Sequence, residues 1–189
     1  MGNSQQTRIR IINAVYGQVA REGVEKVTIA RIAAAAGLSE GIIYRHFENK
    51  SDLLKQAFLQ ICREINRRAA SVDLTEKDLK ESLSLLWNSF LDYLLENPDK
   101  LQYYVRFLHS GYCTREIYSF QVKLLSSVAD LVEGKPGSFR QMQDELFWVF
   151  VLEPTLGLAV HVCEGRIVMC EEVRQEALGV LTRGLILEE

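Results

Sequence analysis

The segment 28–50 constrains the fold of this chain more than any other part of its sequence. Thr28 can cap a helix with its hydroxyl group, and Gly37 ends that helix, since a residue without a Cβ can adopt a left-handed turn. Ser39 can cap a second, very short helix that begins after it. The segment therefore predicts two short helices joined by a tight turn, followed by the start of a third. The apolar positions that share one face of the first helix are Ile29, Ile32, Ala33 and Ala36.

The second short helix is predicted to turn Ile43 and Phe47 toward the core, because they lie four residues apart. The Tyr-Arg-His run at 44–46 then faces solvent and can donate hydrogen bonds to phosphate. Asn49 can cap a new helix, so a phosphate near Lys50 would meet backbone N–H groups, a helix dipole and an ammonium group. Since a recognition helix presents its N-terminal residues to base edges, the segment predicts a helix-turn-helix DNA-binding head. The alternative is a small bundle whose hydroxyl groups only cap and pack.

The same residues carry a family resemblance. The pattern Thr-x-x-x-Ile-Ala-x-x-Ala-Gly-Leu-Ser-x-Gly-x-Ile-Tyr-x-His-Phe-x-x-Lys resembles the N-terminal domain of TetR-type bacterial transcriptional regulators. The resemblance covers roughly residues 8 to 56 and runs without a gap from Gly23 to Leu54. It implies an all-helical dimer in which a small-molecule site in a divergent C-terminal domain governs a DNA-binding head.

The resemblance also assigns DNA-binding residues one by one. Glu40, at the tip of the second helix, can accept a hydrogen bond from cytosine N4 but repels phosphate if it points elsewhere, so its role stays open. Residues placed near the bases are Ser39, Glu40, Gly41 and Arg45, phosphate contacts are placed at Thr28, Tyr44, His46 and Lys50, and Arg31 completes the set.

Charge is divided unevenly along the chain. The formal net charge of the whole sequence is -3, but residues 1–50 hold seven Lys and Arg against four Glu, which gives +3 and leaves -6 for the remainder. A nucleic-acid binder needs positive charge where it meets DNA, not over its whole surface. The negative total therefore does not argue against a DNA-binding head.

Helical periodicity continues beyond the head and predicts an all-α protein. The predicted divisions are a DNA-binding head at 1–50 and an effector-binding and dimerisation domain at 51–189, with a linking helix over about 49–70. The other predicted helices cover about 5–22, the stretch from a cap at Thr75 (with Asp78 three residues later) to Asn97, and then about 98–110, 114–133, 139–164 and 171–187, with a loop at 134–137.

No catalytic or metal site is predicted. His161 and Cys163 are two residues apart, which does not place them on one helical face, and His109 and Cys113 have Gly111 between them and no identifiable orienting group. The scattered cysteines lack CxxC spacing, which favours a reducing cytoplasm over a disulfide framework. We therefore expect a cytoplasmic protein that is not an enzyme and uses no cofactor.

Aromatic residues concentrate in the middle of the chain, where they predict either an effector pocket or an ordinary core. In the first interpretation, an apolar or aromatic small molecule meets aromatic walls and a few polar anchors. The candidate walls are Trp87, Phe90, Tyr103, Tyr104, Phe107 and Phe147, and the candidate anchors are His109, Tyr112 and Glu153.

Residues 146–163 are almost continuously apolar over about the minimum length that could span a bilayer. Glu153 interrupts the run and no cluster of Lys or Arg flanks it closely, so a helix buried between protein surfaces is favoured over a membrane span. The last two helices are too apolar to cover each other, which predicts a four-helix dimer interface, with burial inside the monomer as the alternative. The predicted interface residues are Val149, Leu152, Leu156, Val160, Leu178, Leu181 and Leu185.

These patterns together predict a homodimeric, ligand-responsive transcription factor that represses from a pseudo-palindromic operator. In this hypothesis, effector contact near residues 103–112 shifts the linking helix and changes the separation of the two heads. The alternative is a DNA-bound structural or interaction protein with the same head and no effector. The sequence does not identify the effector, the operator, the regulated genes or the sign of regulation.

Overall fold

A computed structural model describes residues 3–126 and 143–185, and in these residues it contains helices and no strand. The predicted all-α fold is confirmed. The parts of the predicted helices 114–133 and 139–164 that fall within 127–142, the loop at 134–137 and the last turn of 171–187 lie outside the described residues. The helices are α1 (Asn3–Glu22), α2 (Ile29–Ala36), α3 (Glu40–Tyr44), α4 (Lys50–Ala70), α5 (Leu79–Glu96), α6 (Pro98–Leu108), α7 (Arg115–Ser126), α8 (Asp144–Phe147), α9 (Glu153–Cys163) and α10 (Glu171–Leu185).

The start of α5 corrects one prediction. Thr75 is not its cap: the Thr75 N–H donates to Asp73 Oδ1 at 3.0 Å, and Glu76 has a φ of 56°, which a right-handed helix cannot contain. Instead the Asp78 carboxylate accepts from the Glu81 N–H at 2.8 Å, and Glu81 accepts from the Asp78 N–H at 3.2 Å. This reciprocal capping box sets the first residue of α5 at Leu79.

The predicted helix over 139–164 is not uniform where the structure describes it. A π-helical segment, Trp148–Leu152, separates α8 from α9, and the Glu153 N–H donates to the Trp148 carbonyl five residues earlier. Pro154 follows directly and has no N–H group to donate, so the regular α-helical ladder cannot continue through it. Such widened turns are often found at functional positions in helices.

The described chain forms two compact units, and each is built from two stretches of sequence. The first unit comprises Met1–Cys62 and Pro98–Ser119, so it holds α1, α2, α3, the first part of α4 and also α6. The second unit comprises Arg63–Asn97 and Phe120–Glu189. These units do not coincide with the predicted division at residue 50, which remains a prediction about domain organisation.

In the first unit, α6 packs into the same core as α1 and α4. The Tyr103 hydroxyl donates to the Leu54 carbonyl at 2.5 Å, and its ring meets the Tyr16 ring edge-on at 5.2 Å between centroids. The Tyr16 hydroxyl donates to the Ala57 carbonyl at 2.9 Å. Burial, and then the neighbouring Tyr16, raise the pKa of Tyr103 well above its ordinary value, so this phenol remains a hydrogen-bond donor. The α6 helix is thus hydrogen-bonded to the backbone in the first turns of α4.

The second unit is held together by buried aromatic rings and a few polar bonds. The Trp87 indole donates to Thr155 Oγ1 at 2.9 Å, which joins α5 to α9. Arg174 on α10 donates to Asn88 Oδ1 and Asp92 Oδ1, both at 2.8 Å, so the last helix is bonded to α5 as well. The bond between Trp87 and Thr155 satisfies a buried indole N–H, which would be costly to leave unpaired in the core.

Candidate nucleic-acid interface

The first helix of the motif starts as the sequence predicts. Thr28 has extended backbone angles, φ -119° and ψ 157°, and its hydroxyl oxygen accepts from the Arg31 N–H at 3.3 Å. Thr28 is therefore the cap of α2, and it remains solvent-exposed. Arg31 is also exposed, but its guanidinium forms an ion pair with Glu22, so its charge is partly neutralised within the protein.

The turn between α2 and α3 depends on a left-handed glycine and on an arginine distant in sequence. Gly37 has φ 62° and ψ 42°, as predicted, and the Leu38 N–H donates to the Ala33 carbonyl at 2.9 Å. Arg10, on α1, donates to the Ala36 carbonyl at 2.8 and 2.5 Å and to the Gly37 carbonyl at 3.0 Å. The Arg10 guanidinium thus binds the carbonyl groups at the C-terminus of α2, where a positive charge is also favoured by the helix dipole.

The start of α3 differs from its prediction in one detail. Ser39 has extended angles and stands at the cap position, but within the described residues its hydroxyl makes no capping hydrogen bond. The Ile42 N–H, which such a hydroxyl would accept from, donates to the Ser39 carbonyl at 3.0 Å instead. The predicted cap is therefore wrong, and the Ser39 hydroxyl faces solvent.

The short helix α3 has one buried face and one exposed face. Ile43 is fully buried and Phe47 is 3% exposed, which confirms the predicted core anchors. Tyr44 is 54% exposed, so its ring and its hydroxyl group are accessible from solvent. The other exposed side chains or backbone positions at this end of the motif are Glu40, Gly41 and Arg45, whereas His46 is half-buried.

A second arginine of α1 holds the far end of α3. Arg8 donates to the His46 carbonyl at 3.1 Å and to Gln56 Oε1 at 3.2 Å, and its guanidinium carbon lies 4.5 Å from the centroid of the Phe47 ring. The sequence pattern alone does not point to Arg8 or Arg10 as parts of the site. A basic side chain in an amphipathic helix shows no sign of a partner 26 or 38 residues away.

Lys50 begins α4, and its side chain makes contacts within the protein that the sequence does not predict. Asn49 Oδ1 accepts from the Asp52 N–H at 2.9 Å, which confirms Asn49 as the cap. The Asp52 carboxylate accepts from the Glu48 N–H at 3.1 Å, so one donor near this helix terminus is already bound. The Lys50 ammonium donates to the Glu25 carbonyl at 3.3 Å and lies 5.1 Å from the centroid of the Tyr112 ring.

The candidate effector residues are divided between the two units. Tyr103, Tyr104 and Phe107 are fully buried in the first unit, where Phe58 stacks on Tyr104 at 4.8 Å and on Phe107 at 4.6 Å between centroids. These three side chains pack as the alternative of an ordinary core predicts. His109 is exposed, and Tyr112 is half-buried beside Lys50.

The remaining effector candidates lie in the second unit. Trp87 and Phe90 are buried, at 7% and 8% exposed, and Phe147 is half-buried. Glu153 is exposed, and its carboxylate accepts from the Trp148 indole at 3.2 Å, so it is bound to its own helix turn. Two other polar side chains of this unit, Ser82 and Gln121, are fully buried without a hydrogen-bond partner among the described residues.

The predicted dimer residues also have different surroundings. Leu156, Leu178 and Leu185 are buried within the second unit, whereas Val149 is 41% exposed and Leu152, Val160 and Leu181 are half-buried. By length and composition alone, Glu145–Cys163 is apolar enough to cross a membrane, and 28% of that window is buried in the chain. The large apolar residues left exposed on α8, the π-helical segment and α10 are Leu146, Val149, Phe150 and Val180.

The fold and the motif together define an all-helical protein with an N-terminal helix-turn-helix. Residues 11–57 match the family described as bacterial regulatory proteins, tetR family. The probable acrEF/envCD operon repressor of Escherichia coli is 44% identical over 55 residues, which cover 29% of this chain and 25% of the relative. Matches to curated relatives cover 25% to 49% of those proteins, so they span less than half of their length.

Solved structures match over nearly the whole chain. A TetR family transcription regulator from Marinobacter aquaeolei has a TM-score of 0.85 and 25% identity, with 97% of each chain covered. The regulator FadR from Bacillus subtilis, solved with stearoyl-CoA, has a TM-score of 0.70 and 19% identity over 92% of this chain and 96% of its own, which shows the shared fold. The chain is thus similar to TetR family regulators, in sequence over its N-terminal segment and in fold over nearly its whole length.

Proposed function

We propose that the protein is a homodimeric, ligand-responsive transcriptional regulator that acts as a repressor on a pseudo-palindromic operator in the bacterial cytoplasm. The observation that carries this proposal is the geometry of α3, whose Ile43 and Phe47 side chains are anchored in the core while Tyr44 and Arg45 are exposed. A short helix with a fixed inner face and a polar outer face suits insertion into the major groove.

The proposed DNA contacts follow from exposure and charge. Ser39, Glu40 and Gly41 lie exposed at the N-terminal tip of α3, which is the part of a recognition helix that approaches base edges. Tyr44 and Lys50 then supply donors to phosphate groups, while exposed Arg45 stays among the residues proposed to lie near the bases. The Arg31 ion pair and the half-buried state of His46 make these two residues the weaker contributors of the predicted set.

The proposed dimer is supported by apolar surface in the second unit. Phe150 is 64% exposed and Val180 is 61% exposed, and large apolar side chains that would lose their contact with water in a dimer support an interface here. We assign this surface to a second copy and not to lipid, because Glu153 and His161 lie within the apolar helical stretch and would be costly in a bilayer.

The proposed effector site lies in the second unit. Gln121 is supported as an anchor because no described residue uses the NH₂ donor group or the carbonyl acceptor of its buried amide. We infer a largely apolar or aromatic small molecule that carries an amide-like or carboxyl-like group. The neighbour FadR was solved with stearoyl-CoA, and a neighbour from Saccharomonospora viridis was solved with choline, so proteins of this fold hold dissimilar ligands.

Selection of bound duplexes from a random pool tests the proposal directly. We expect enrichment of a two-fold symmetric motif whose half-sites lie about 34 to 36 Å apart, or a multiple of that distance. The Glu40→Ala variant should enrich a different base at one position of each half-site. Repeating the selection with metabolite and drug mixtures tests the effector: release supports it, and indifference favours a DNA-bound structural protein. Absence of any enrichment by the folded dimer at low salt would overturn the central proposal.

A further inference from the structure

The Lys50 side chain is held at the head surface by two contacts from different parts of the first unit. Its ammonium donates to the Glu25 carbonyl, in the loop between α1 and α2, at 3.3 Å. On another side it lies 5.1 Å from the centroid of the Tyr112 ring, in the turn after α6. An ammonium group has three N–H donors, so these two contacts leave it able to bind a further acceptor.

Tyr112 is itself fixed by the turn in which it lies. The Tyr112 N–H donates to Ser110 Oγ at 3.3 Å, and the Ser110 hydroxyl donates to the Phe107 carbonyl at 2.7 Å. Phe107 is fully buried and stacks on Phe58 of α4. The Tyr112 backbone is therefore connected through two hydrogen bonds to the end of α6, whose Phe107 lies in the core of the first unit.

Both contacts make Lys50 a preorganised group. A free lysine side chain samples many rotamers and must lose that freedom when it binds a phosphate, and a side chain already held loses less. Attraction between the ammonium and the ring is electrostatic and needs only the aromatic face, so a phenylalanine at the same position would supply it as well. A leucine there would fill similar space without that attraction.

We propose that Tyr112 is a positioning residue for the phosphate contact of Lys50, so that the turn after α6 sets the sequence-independent part of DNA affinity. This inference rests on the proposed function, since it requires that Lys50 contacts DNA. It assigns to Tyr112 a role in the head in place of the effector-anchor role that its sequence position suggests. Movement of the turn would then change DNA affinity without any change in the residues of α3.

Four variants test the proposal on the full-length protein: Tyr112→Phe, Tyr112→Leu, Lys50→Met and the double variant Lys50→Met/Tyr112→Leu. Dissociation constants for the selected duplex and for a scrambled duplex are measured across a range of salt concentrations. We expect Tyr112→Leu to weaken binding to both duplexes by roughly three-fold, and Tyr112→Phe to match the wild type. Lys50→Met should lower the salt slope by about 0.9, the value for one phosphate contact.

The double variant separates positioning from a general structural effect. If Tyr112 acts through Lys50, the double variant binds DNA with the same affinity as Lys50→Met. If Tyr112→Leu lowers the DNA affinity of Lys50→Met by the same factor as it lowers that of the wild type, the proposal is wrong. Lys100→Met is the charge-matched control, because Lys100 also lies near an aromatic ring of the first unit, at 5.9 Å from the Tyr16 centroid. It should leave the effect of Tyr112→Leu unchanged.

A measurement without DNA keeps the proposal testable apart from the proposed function. Ring current from Tyr112 should shift the Lys50 Cε proton resonances upfield in the wild type and in Tyr112→Phe, and this shift should be absent in Tyr112→Leu. An unshifted Lys50 in the wild type would overturn the positioning contact. Suppose that the Lys50 resonances are shifted in the wild type but that Lys50→Met leaves the salt slope unchanged. The contact with Tyr112 would then exist, but Lys50 would not bind phosphate. That result overturns this proposal even if the wild-type protein binds DNA.

Discussion

Two glycines of the helix-turn-helix differ in what a methyl group would meet. Gly37 has a φ of 62°, and an added Cβ would lie 3.4 Å from Arg10 Nη2, a guanidinium nitrogen that binds the same turn. Gly41 has a helical backbone, and a Cβ there would meet nothing within 4 Å. The first glycine is therefore required by the fold, whereas the second leaves space at the tip of α3.

We predict opposite results from Gly37→Ala and Gly41→Ala. Gly37→Ala should lower the free energy of unfolding by about 1 to 2 kcal/mol, because a left-handed conformation is strained for alanine. Gly41→Ala should leave it unchanged or raise it by up to about 1 kcal/mol, since alanine favours a helix. Urea unfolding at one fixed protein concentration measures both.

The same pair tests where the DNA approaches. Gly41→Ala should weaken operator binding although the protein is no less stable, because the new methyl group projects from the proposed base-contacting tip. If Gly41→Ala binds the operator as the wild type does, the tip of α3 does not approach the bases closely.

Gln121 presents a buried amide whose cost should be visible in stability. Among the residues that the structure describes, the Gln121 amide has no partner, and an unpaired buried polar group is unfavourable by about 1 to 3 kcal/mol, so Gln121→Leu should stabilise the ligand-free protein by about 1 kcal/mol after repacking. Thr155→Val is the matched control in the same unit, because Thr155 Oγ1 accepts from the buried Trp87 indole at 2.9 Å. Thr155→Val removes this acceptor and should lower the free energy of unfolding by about 1 to 3 kcal/mol.

Thermal unfolding with and without an effector then distinguishes two explanations of Gln121. An effector anchored there should raise the melting temperature of the wild type and not that of Gln121→Leu, since a ligand stabilises only the state it binds. Destabilisation by Gln121→Leu in the absence of any ligand would show that the amide already has a partner, and the anchor role would fall.

At the scale of single helices, the cap of α5 gives a matched comparison. We predict that Asp78→Ala lowers the free energy of unfolding by about 1 kcal/mol, because the Asp78 carboxylate accepts from the Glu81 N–H at 2.8 Å. Thr75→Ala, the position that the sequence pattern favoured as the cap, should change it by less than about 0.5 kcal/mol. Chemical denaturation of the two variants decides between the two cap positions, and equal losses would contradict the capping box.

The sequence predicted the helices of the head because their signals are local. The cap at Thr28, the left-handed Gly37 and the core pair Ile43 and Phe47 each depend on spacings of a few residues, and all appear in the structure. The start of α5 was missed because Thr75 and Asp78 both look like caps, and only the positive φ of Glu76 separates them. The residue type at position 76 does not predict its positive φ.

Long-range contacts account for the rest of what the sequence could not predict. Arg10 reaches the Ala36 carbonyl, and Tyr103 reaches the Leu54 carbonyl, across 26 and 49 residues. Nothing in the helical pattern of α6 indicates that it packs with the head, so Tyr103 and Phe107 could be read equally well as pocket or core. Only the packing of α6 on α1 and α4 shows them as core residues.

At the scale of the whole molecule, exposed apolar surface predicts the oligomeric state. Phe150 is 64% exposed, and Phe150→Lys should shift the protein from dimer to monomer at micromolar concentration, because a desolvated charge in an apolar interface is costly. Sedimentation velocity over a range of concentrations measures the shift. Ile9→Lys, at a residue 43% exposed in the first unit, adds the same charge and should leave the dimer intact.

Dimerisation should matter for operator binding even where no interface residue touches DNA. Once one head of a dimer is bound, the second meets its half-site at an effective concentration set by the linkage, so a dimer gains roughly 10² to 10⁴ in affinity over a single head. Phe150→Lys should therefore lose about 10²-fold or more on a duplex with two half-sites and should bind a duplex with one half-site as the wild type does. Equal losses on both duplexes would point to a damaged head, and no loss on either would mean that the two half-sites are not read by one dimer.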